Sequence, residues 1–164
     1  MPITPNQPAA ISRYFGVGVT EVLFCTTIAN QAAPSFAELD AGTEITRDIA
    51  AVSGFTVESA FIETPDMKTR FVSKVPGRIT AADSSLTFYA DEDRGAGDMA
   101  LILPRDTEGY IVFADAGLAS GVGDVFHVKV GSNTTMRSTD DTVKRVVTFA
   151  IVEEPSEGVT LPQS

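Results

Sequence analysis

The stretch Asp124-Val125-Phe126-His127-Val128-Lys129-Val130 alternates: Phe126, Val128 and Val130 fall on one face, His127 and Lys129 on the other. A period of two is the signature of a β-strand with one face on a core. In Lys144–Glu153 the same period holds, but Val147, Phe149 and Ile151 alternate with Val146, Thr148 and Ala150, so both faces are largely apolar. A strand of that kind is covered on both sides, as in a sandwich core or a sheet that also meets a neighbour. Ser85-Leu86-Thr87-Phe88-Tyr89-Ala90-Asp91 repeats the pattern, with Leu86, Phe88 and Ala90 on one face.

Working outward, further strands are expected at Thr20–Ile28, Gly54–Thr64, Lys68–Val75 and Tyr110–Asp115, all rich in β-branched and aromatic residues. Pro76-Gly77 reads as a turn. Ser35 before Phe36-Ala37-Glu38-Leu39-Asp40, with Gly42 behind, suits a short capped helical turn. Asp98 caps a second short helix, Met99–Leu103, stopped by Pro104. Many short strands with one or two short helices predict a mainly β protein, an antiparallel β-sandwich or barrel with a short α-helix.

The 164 residues fit one domain. Prolines 2, 5 and 8 and the Gly16–Val19 run make residues 1–19 an extended arm. Residues 20–154 form the domain, and 155–164, with Pro155, Gly158 and Pro162, form a C-terminal arm. Within the domain, 29–53 is a long connection, and such lengths are usually functional or held by a partner.

Composition narrows the function. The 12 basic residues face 22 acidic ones, a net charge of −10, with no basic run, so tight nucleic-acid binding is disfavoured. Met1-Pro2-Ile3-Thr4-Pro5 lacks the basic and apolar regions of a signal peptide, and no apolar stretch approaches membrane-spanning length, so no membrane anchor is expected. The single cysteine, Cys25, sits in an apolar run and reads as a buried strand thiol.

Chemistry is sparse. His127, the one histidine, has the phase of an exposed face and reads as a solvated or interface residue rather than a base. One histidine and one cysteine cannot close a zinc site, and no G-x-S-x-G elbow occurs. The glycine-rich run Ala119–Asp124 lacks a Walker lysine and leads into a strand, not a helix. Asp91, Glu92, Asp93 and Asp98 lack the spacing of a calcium loop and read as a solvated loop. Tryptophan is absent. No cofactor, metal or catalytic residue is expected.

Several segments, in order, carry a resemblance. They are Thr26–Pro34 with Ala37–Thr46; Ile49–Phe55; Thr64-Pro65-Asp66 with Thr69-Arg70-Phe71 and Val75-Pro76-Gly77; Asp83–Asp91; and Asp98–Pro104 with Gly109–Val112. Together they resemble the tail tube, or major tail, proteins of long-tailed bacteriophages, especially those of actinobacterial hosts. The resemblance implies a structural virion protein and no enzyme. It implies a small β-sandwich that assembles with itself into hexameric rings, stacked end to end, with an inner barrel through which DNA passes without specific binding. It also implies partners in a tail-tip or baseplate initiator, a tape measure protein and a tail terminator, with assembly in the host cytoplasm and residence in the virion tail. The inner tube of a contractile tail or injection particle, and a β-sandwich binding module, are the alternatives.

Head-to-tail stacking yields filaments, and the 29–53 connection and both arms would then order at contacts between rings. On that reading Phe36 and Leu39 supply apolar anchors, with Glu38, Glu44 and Arg47 on the rim. The other reading has Phe36 and Leu39 covering the domain's own core. The acidic balance would repel phosphate from the bore, or simply keep the surface soluble.

Overall fold

The period-two segments pair as antiparallel strands in the computed structural model, which describes Pro5 and residues 8–163. In chain order these are β1 (Glu21–Cys25), α1 (Phe36–Asp40), β2 (Thr43–Glu44), a 3-10 turn (Thr46–Asp48), β3 (Ile49–Ser53), β4 (Val57–Thr64) and β5 (Ser73–Ala81). There follow β6 (Ser84–Tyr89), α2 (Met99–Ile102), β7 (Glu108–Ala114), a second 3-10 turn (Leu118–Ser120), β8 (Val122–Met136), β9 (Lys144–Ile151) and β10 (Ser156–Thr160). The main sheet runs β2-β1-β7-β8-β9-β6-β3, with β10 added to β8; β4 and β5 form a separate two-stranded sheet.

Connectivity makes the main sheet curl. β2 and β3 are its two ends, yet only Ile45–Asp48 separate them in the chain. At roughly 3.5 Å per extended residue, that link bridges less than about 20 Å. The sheet therefore bends until its ends approach, giving a barrel-like body. Ile45, fully buried, donates its amide to Val22 O at 3.0 Å, and Thr46 Oγ1 accepts from Val22 N at 2.8 Å. Inside the curl lie Val22, Phe24, Leu86, Phe88, Ile111, Phe113, Phe126, Val128, Val130, Val147 and Phe149. These are the alternate residues the strand pattern selects.

β1, β7 and the first half of β8 are covered on their outer face too. Leu23, Cys25, Val112, Ala114 and Val125 pack there with Leu39 of α1 and with Val159 and Leu161. The C-terminal segment is thus not a free arm: β10 pairs with β8, and Val159 and Leu161 are buried. The prolines and glycine at 155–162 hide this strand from a composition reading, whereas the open edge and bare outer face of β8 supply its partners. Of the expected N-terminal arm, residues 1–4, 6 and 7 lie outside the described residues. From 8 to 16 the chain has no regular structure, and Ile11, Tyr14 and Phe15 are exposed.

Other boundaries also move. Residues 29–53 are no continuous loop, since they hold α1, β2 and β3. Pro76-Gly77 makes no turn but lies within β5, where the register against Ser59 and Phe61 shifts. A bulge tolerates a proline that lacks a donor, and a Cβ at Gly77 would come within 2.9 Å of Ile62. The reversal falls instead at residues 65–72, held by Asp66 Oδ1, which accepts from the amides of Lys68 (2.7 Å) and Thr69 (2.9 Å). β8 continues past Val130 through a bulge to Met136, pairing with β9. On β9 the second apolar face is only partly covered by the described residues: Val146 and Thr148 are half-buried and Ala150 is exposed.

Two polar devices fix the irregular parts. Asn133 Nδ2 donates to Met99 O (3.1 Å) and Leu103 O (2.7 Å), while its Oδ1 accepts from Arg145 Nη1 (2.7 Å), so α2 is clamped onto β8 and β9. Asp98, the α2 cap, accepts from Ala100 N at 3.1 Å. At the other device, between β3 and β4, Gly54 and Phe55 both have positive φ, 80° and 58°. Phe55 N donates to the buried Ser84 Oγ at 2.9 Å, and its ring sits among Phe113, Phe126 and Phe149. The kink turns β3–β6 into the projecting β4–β5 hairpin.

Candidate functional site

The β4–β5 hairpin has apolar side chains on both faces and no strand of the main sheet beside it. Alternation from Phe61 to Ile62 puts them on opposite faces. Ile62 is paired with Val75, and Ser59, on the Phe61 side, with Ile79. Phe61 is 66% exposed, Ile62 55% and Ile79 54%. At the tip Met67 is fully exposed and Phe71 77% exposed. Large apolar side chains left exposed on both faces mark an interaction site, and an uncovered two-stranded ribbon is marginal on its own.

The hairpin is also the basic part of an acidic chain. Residues 57–81 hold Lys68, Arg70, Lys74 and Arg78 against Glu58, Glu63 and Asp66, a net +1, so the remainder totals −11. Lys74 pairs with Glu63 at 3.2 Å and Asp66 is spent on its own turn. Lys68 and Arg70 have no ion-pair partner among the described residues.

A groove of about 270 Å³ opens on the outer face, lined by Leu23, Phe36, Leu39, Leu118, Leu161 and Pro162, with Asp40 and Glu44 at its rim. Local sequence builds it. Ser35 caps α1, with Glu38 N donating to its Oγ at 3.3 Å, and Glu38 closes a capping box by accepting from Ser35 N at 2.8 Å. Glu38 Oε1 also accepts from Ala29 N at 2.8 Å. The Ser35 amide, then the Ala29 amide, hold its carboxyl below the usual carboxylate range. Gly42 lets the chain leave α1 against β1, since a Cβ there would lie 2.7 Å from Cys25 Sγ.

Of the five residues expected to make an inter-ring contact, the groove unites Phe36, Leu39 and Glu44. Leu39 forms its floor, only 8% exposed and packed in the chain's own outer core, while Phe36 stays 43% exposed. Glu38 is committed to the capping box. Arg47, exposed on the 3-10 turn, is not in the groove wall. The hairpin was missed as a surface because its apolar residues, read singly, resemble an ordinary strand.

The remaining polar groups are structural. His127 is not on an exposed face: its side chain is 12% exposed, stacked on Tyr110 at 4.5 Å between centroids, with Nε2 2.8 Å from Glu108 Oε1 and Nδ1 3.4 Å from Glu153 Oε2. Neighbouring β7 and the end of β9 cover it. Burial, then the carboxylates of Glu153 and Glu108, raise the Tyr110 hydroxyl's pKa. Burial pushes the Cys25 thiol to about 11, with Glu38 adding to the shift, which leaves the thiol protonated and inert. Asp91 is turned to its own loop, accepting from Asp93 N (3.1 Å) and Gly95 N (2.9 Å). Among the described residues no cluster of His, Cys, Asp or Glu could hold a metal ion, and no helix is long and apolar enough to cross a membrane.

Comparison with known proteins agrees with this geometry. No curated protein matches the sequence significantly. Among solved structures, the chain is similar to the sheath/tube terminator of an extracellular contractile injection system, PVC, in its extended state: TM-score 0.61, 13% identity, 89% of this chain and 97% of that one. It is similar to the tube terminating cap of the anti-feeding prophage, with TM-score 0.56, 13% identity and 96% and 97% coverage. A chain of the anti-feeding prophage baseplate gives TM-score 0.54 at 10% identity, covering 92% and 95%. At such identities the likeness is one of fold. The sequence model of the family described as phage tail tube protein matches residues 8–164. That match covers nearly the whole chain, so this protein belongs to the phage tail tube protein family, and it is a structural tail component, not an enzyme.

Proposed function

We propose that copies of this chain assemble through the β4–β5 hairpin into rings of six, and that the rings stack into the tube through which DNA leaves the virion. The observation that carries this reading is the hairpin: Phe61, Ile62, Val75 and Ile79 are exposed on a ribbon whose long edges pair with no other strand among the described residues. Strand edges and apolar faces of this kind are satisfied when neighbours add their own strands, and closing the ring removes the last free edge. The partly covered second face of β9, Val146-Thr148-Ala150, supports the same use. Phe36, Leu39, Glu44 and Arg47 of the 29–53 segment, with Glu38 holding α1, belong to contacts between successive rings. A bore lined by an acidic protein repels phosphate and holds no DNA back. Assembly in the host cytoplasm, started by a tail-tip or baseplate initiator and ended by a terminator around a tape measure protein, completes the reading. An inner tube within a contractile sheath would use the same surfaces and differ by its sheath partner.

Negative-stain electron microscopy tests it. The purified wild-type chain is expected to form hollow tubes of uniform width or six-fold rings at high concentration. Phe61→Asp/Ile62→Asp, placing unpaired charges on the joining faces, is expected to leave folded monomers. Tubes of normal length from that variant would remove the hairpin from the interface.

A further inference from the structure

We propose that the hairpin tip, Met67 to Phe71, docks into the α1 groove of a second copy of this chain. The inference rests on the self-assembly reading and names the surface that receives the tip. The chemistry matches on both sides. The tip projects two unburied apolar side chains, Met67 and Phe71, flanked by Lys68 and Arg70, which have no ion-pair partner among the described residues. The groove offers an apolar floor from Leu23, Leu39 and Leu161, with half-exposed Phe36 beside it. Its rim carries Asp40 and Glu44, likewise without a cationic partner among the described residues.

Charge complementarity selects the occupant. The rim is acidic on a chain whose net charge is −10, so most of another copy's surface would be repelled. The tip sets two unpaired positive charges, Lys68 and Arg70, beside exposed apolar bulk. The N-terminal stretch with Ile11, Tyr14 and Phe15 has comparable bulk but only Arg13. No hairpin residue of the chain itself lines the groove, so a tip that fills it comes from a second copy. Knob and groove are different surfaces of one chain, which makes the contact head-to-tail and self-propagating, as rings and filaments require. Opposed charges at the rim fix orientation and speed encounter more than they add affinity, and salt screens them.

The test is reciprocal charge reversal. Lys68→Glu/Arg70→Glu and, separately, Asp40→Lys/Glu44→Lys are each expected to cut the sedimentable, assembled fraction at least tenfold, with unchanged circular dichroism and thermal unfolding. The fourfold variant, with both ends reversed, is expected to restore assembly. As a second measurement, oxidising a mixture of Phe71→Cys and Phe36→Cys chains should give a disulfide-linked dimer joining the two variants. Tubes that persist in both reversal variants, or a fourfold variant that stays unassembled, would overturn the docking while leaving self-assembly standing. A bridge to position 36 from Phe15→Cys in place of Phe71→Cys would assign the groove to the N-terminal stretch and overturn it as well. A wild-type chain that stays monomeric, together with selective cross-linking of the Phe71→Cys and Phe36→Cys variants, would keep the docking and sink the tube reading.

Discussion

Phe55 offers the sharpest check on the backbone geometry that launches the hairpin. Its φ of 58° is left-handed, a conformation that costs an L-residue about 1–2 kcal/mol. The cost is offset by burial: the ring lies 4.9 Å from Phe113, 5.4 Å from Phe126 and 5.9 Å from Phe149, in edge or tilted contacts. Truncation to alanine removes a buried aromatic side chain and leaves a cavity, at about 3–5 kcal/mol. Truncation to glycine removes the same ring but also relieves the left-handed strain. Glycine's added freedom in the unfolded chain takes back about 0.4–1 kcal/mol of that gain. Phe55→Gly should therefore be the more stable of the two by about 0.5–1 kcal/mol, the reverse of the order found in ordinary strands. Urea unfolding of the dilute monomer, followed by far-ultraviolet circular dichroism, measures both differences. A glycine variant less stable than the alanine variant, or an alanine variant within 1 kcal/mol of wild type, would refute the kink as described.

Two further predictions concern the body. Asn133→Ala removes two neutral hydrogen bonds to the end of α2 and one from the Arg145 guanidinium; at about 1 kcal/mol for each neutral bond and somewhat more for the charged one, unfolding free energy should fall by about 3 kcal/mol. A loss below 1 kcal/mol in denaturant titration would mean that α2 docks without this clamp. Cys25 has a thiol pKa raised by burial from 9.0 to about 11. The folded state keeps that proton where the unfolded chain loses it, so the contribution is whole below pH 9 and fades as pH rises toward 11, by up to about 3 kcal/mol. The stability difference between wild type and Cys25→Ala should shrink across that window, and a flat difference would place the thiol in contact with water.

Much of the fold was legible because strand alternation is a local property. Leu86 with Phe88, and Phe126 with Val128 and Val130, were set on common faces by period alone, and those faces line the core; for Val147, Phe149 and Ile151 the period gave the shared face but not which of two apolar faces is buried. The two caps were legible for the same reason: Ser35 and Asp98 act on amides two or three residues away. Pairing between distant segments was not. The strand at Ser156–Thr160 exists because β8 has a free edge beside it, and nothing within Pro155–Ser164 announces that edge. Pro76-Gly77 spells a turn locally, but an opposing strand with one register shift absorbs it.

The candidate site divides along the same line. Phe36, Leu39 and Glu44 were picked from a segment that looked too long to be idle, and they share a groove; Glu38, chosen with them, turned out to be consumed by the helix cap. The hairpin's exposure could not be read from Phe61 or Ile62, since an apolar residue in a strand looks the same whether or not anything covers it.

The sequence by itself determined a β protein with an acidic surface, no catalytic constellation and a family likeness, because composition, period and motif order are written along the chain. Only the tertiary structure decided which apolar residues are left without cover. That is a question of what lies across space, and burial is settled by distant neighbours: β10 and α1 close the outer face of β8 and β1, while among the described residues no strand pairs with the outer edges of β4 and β5.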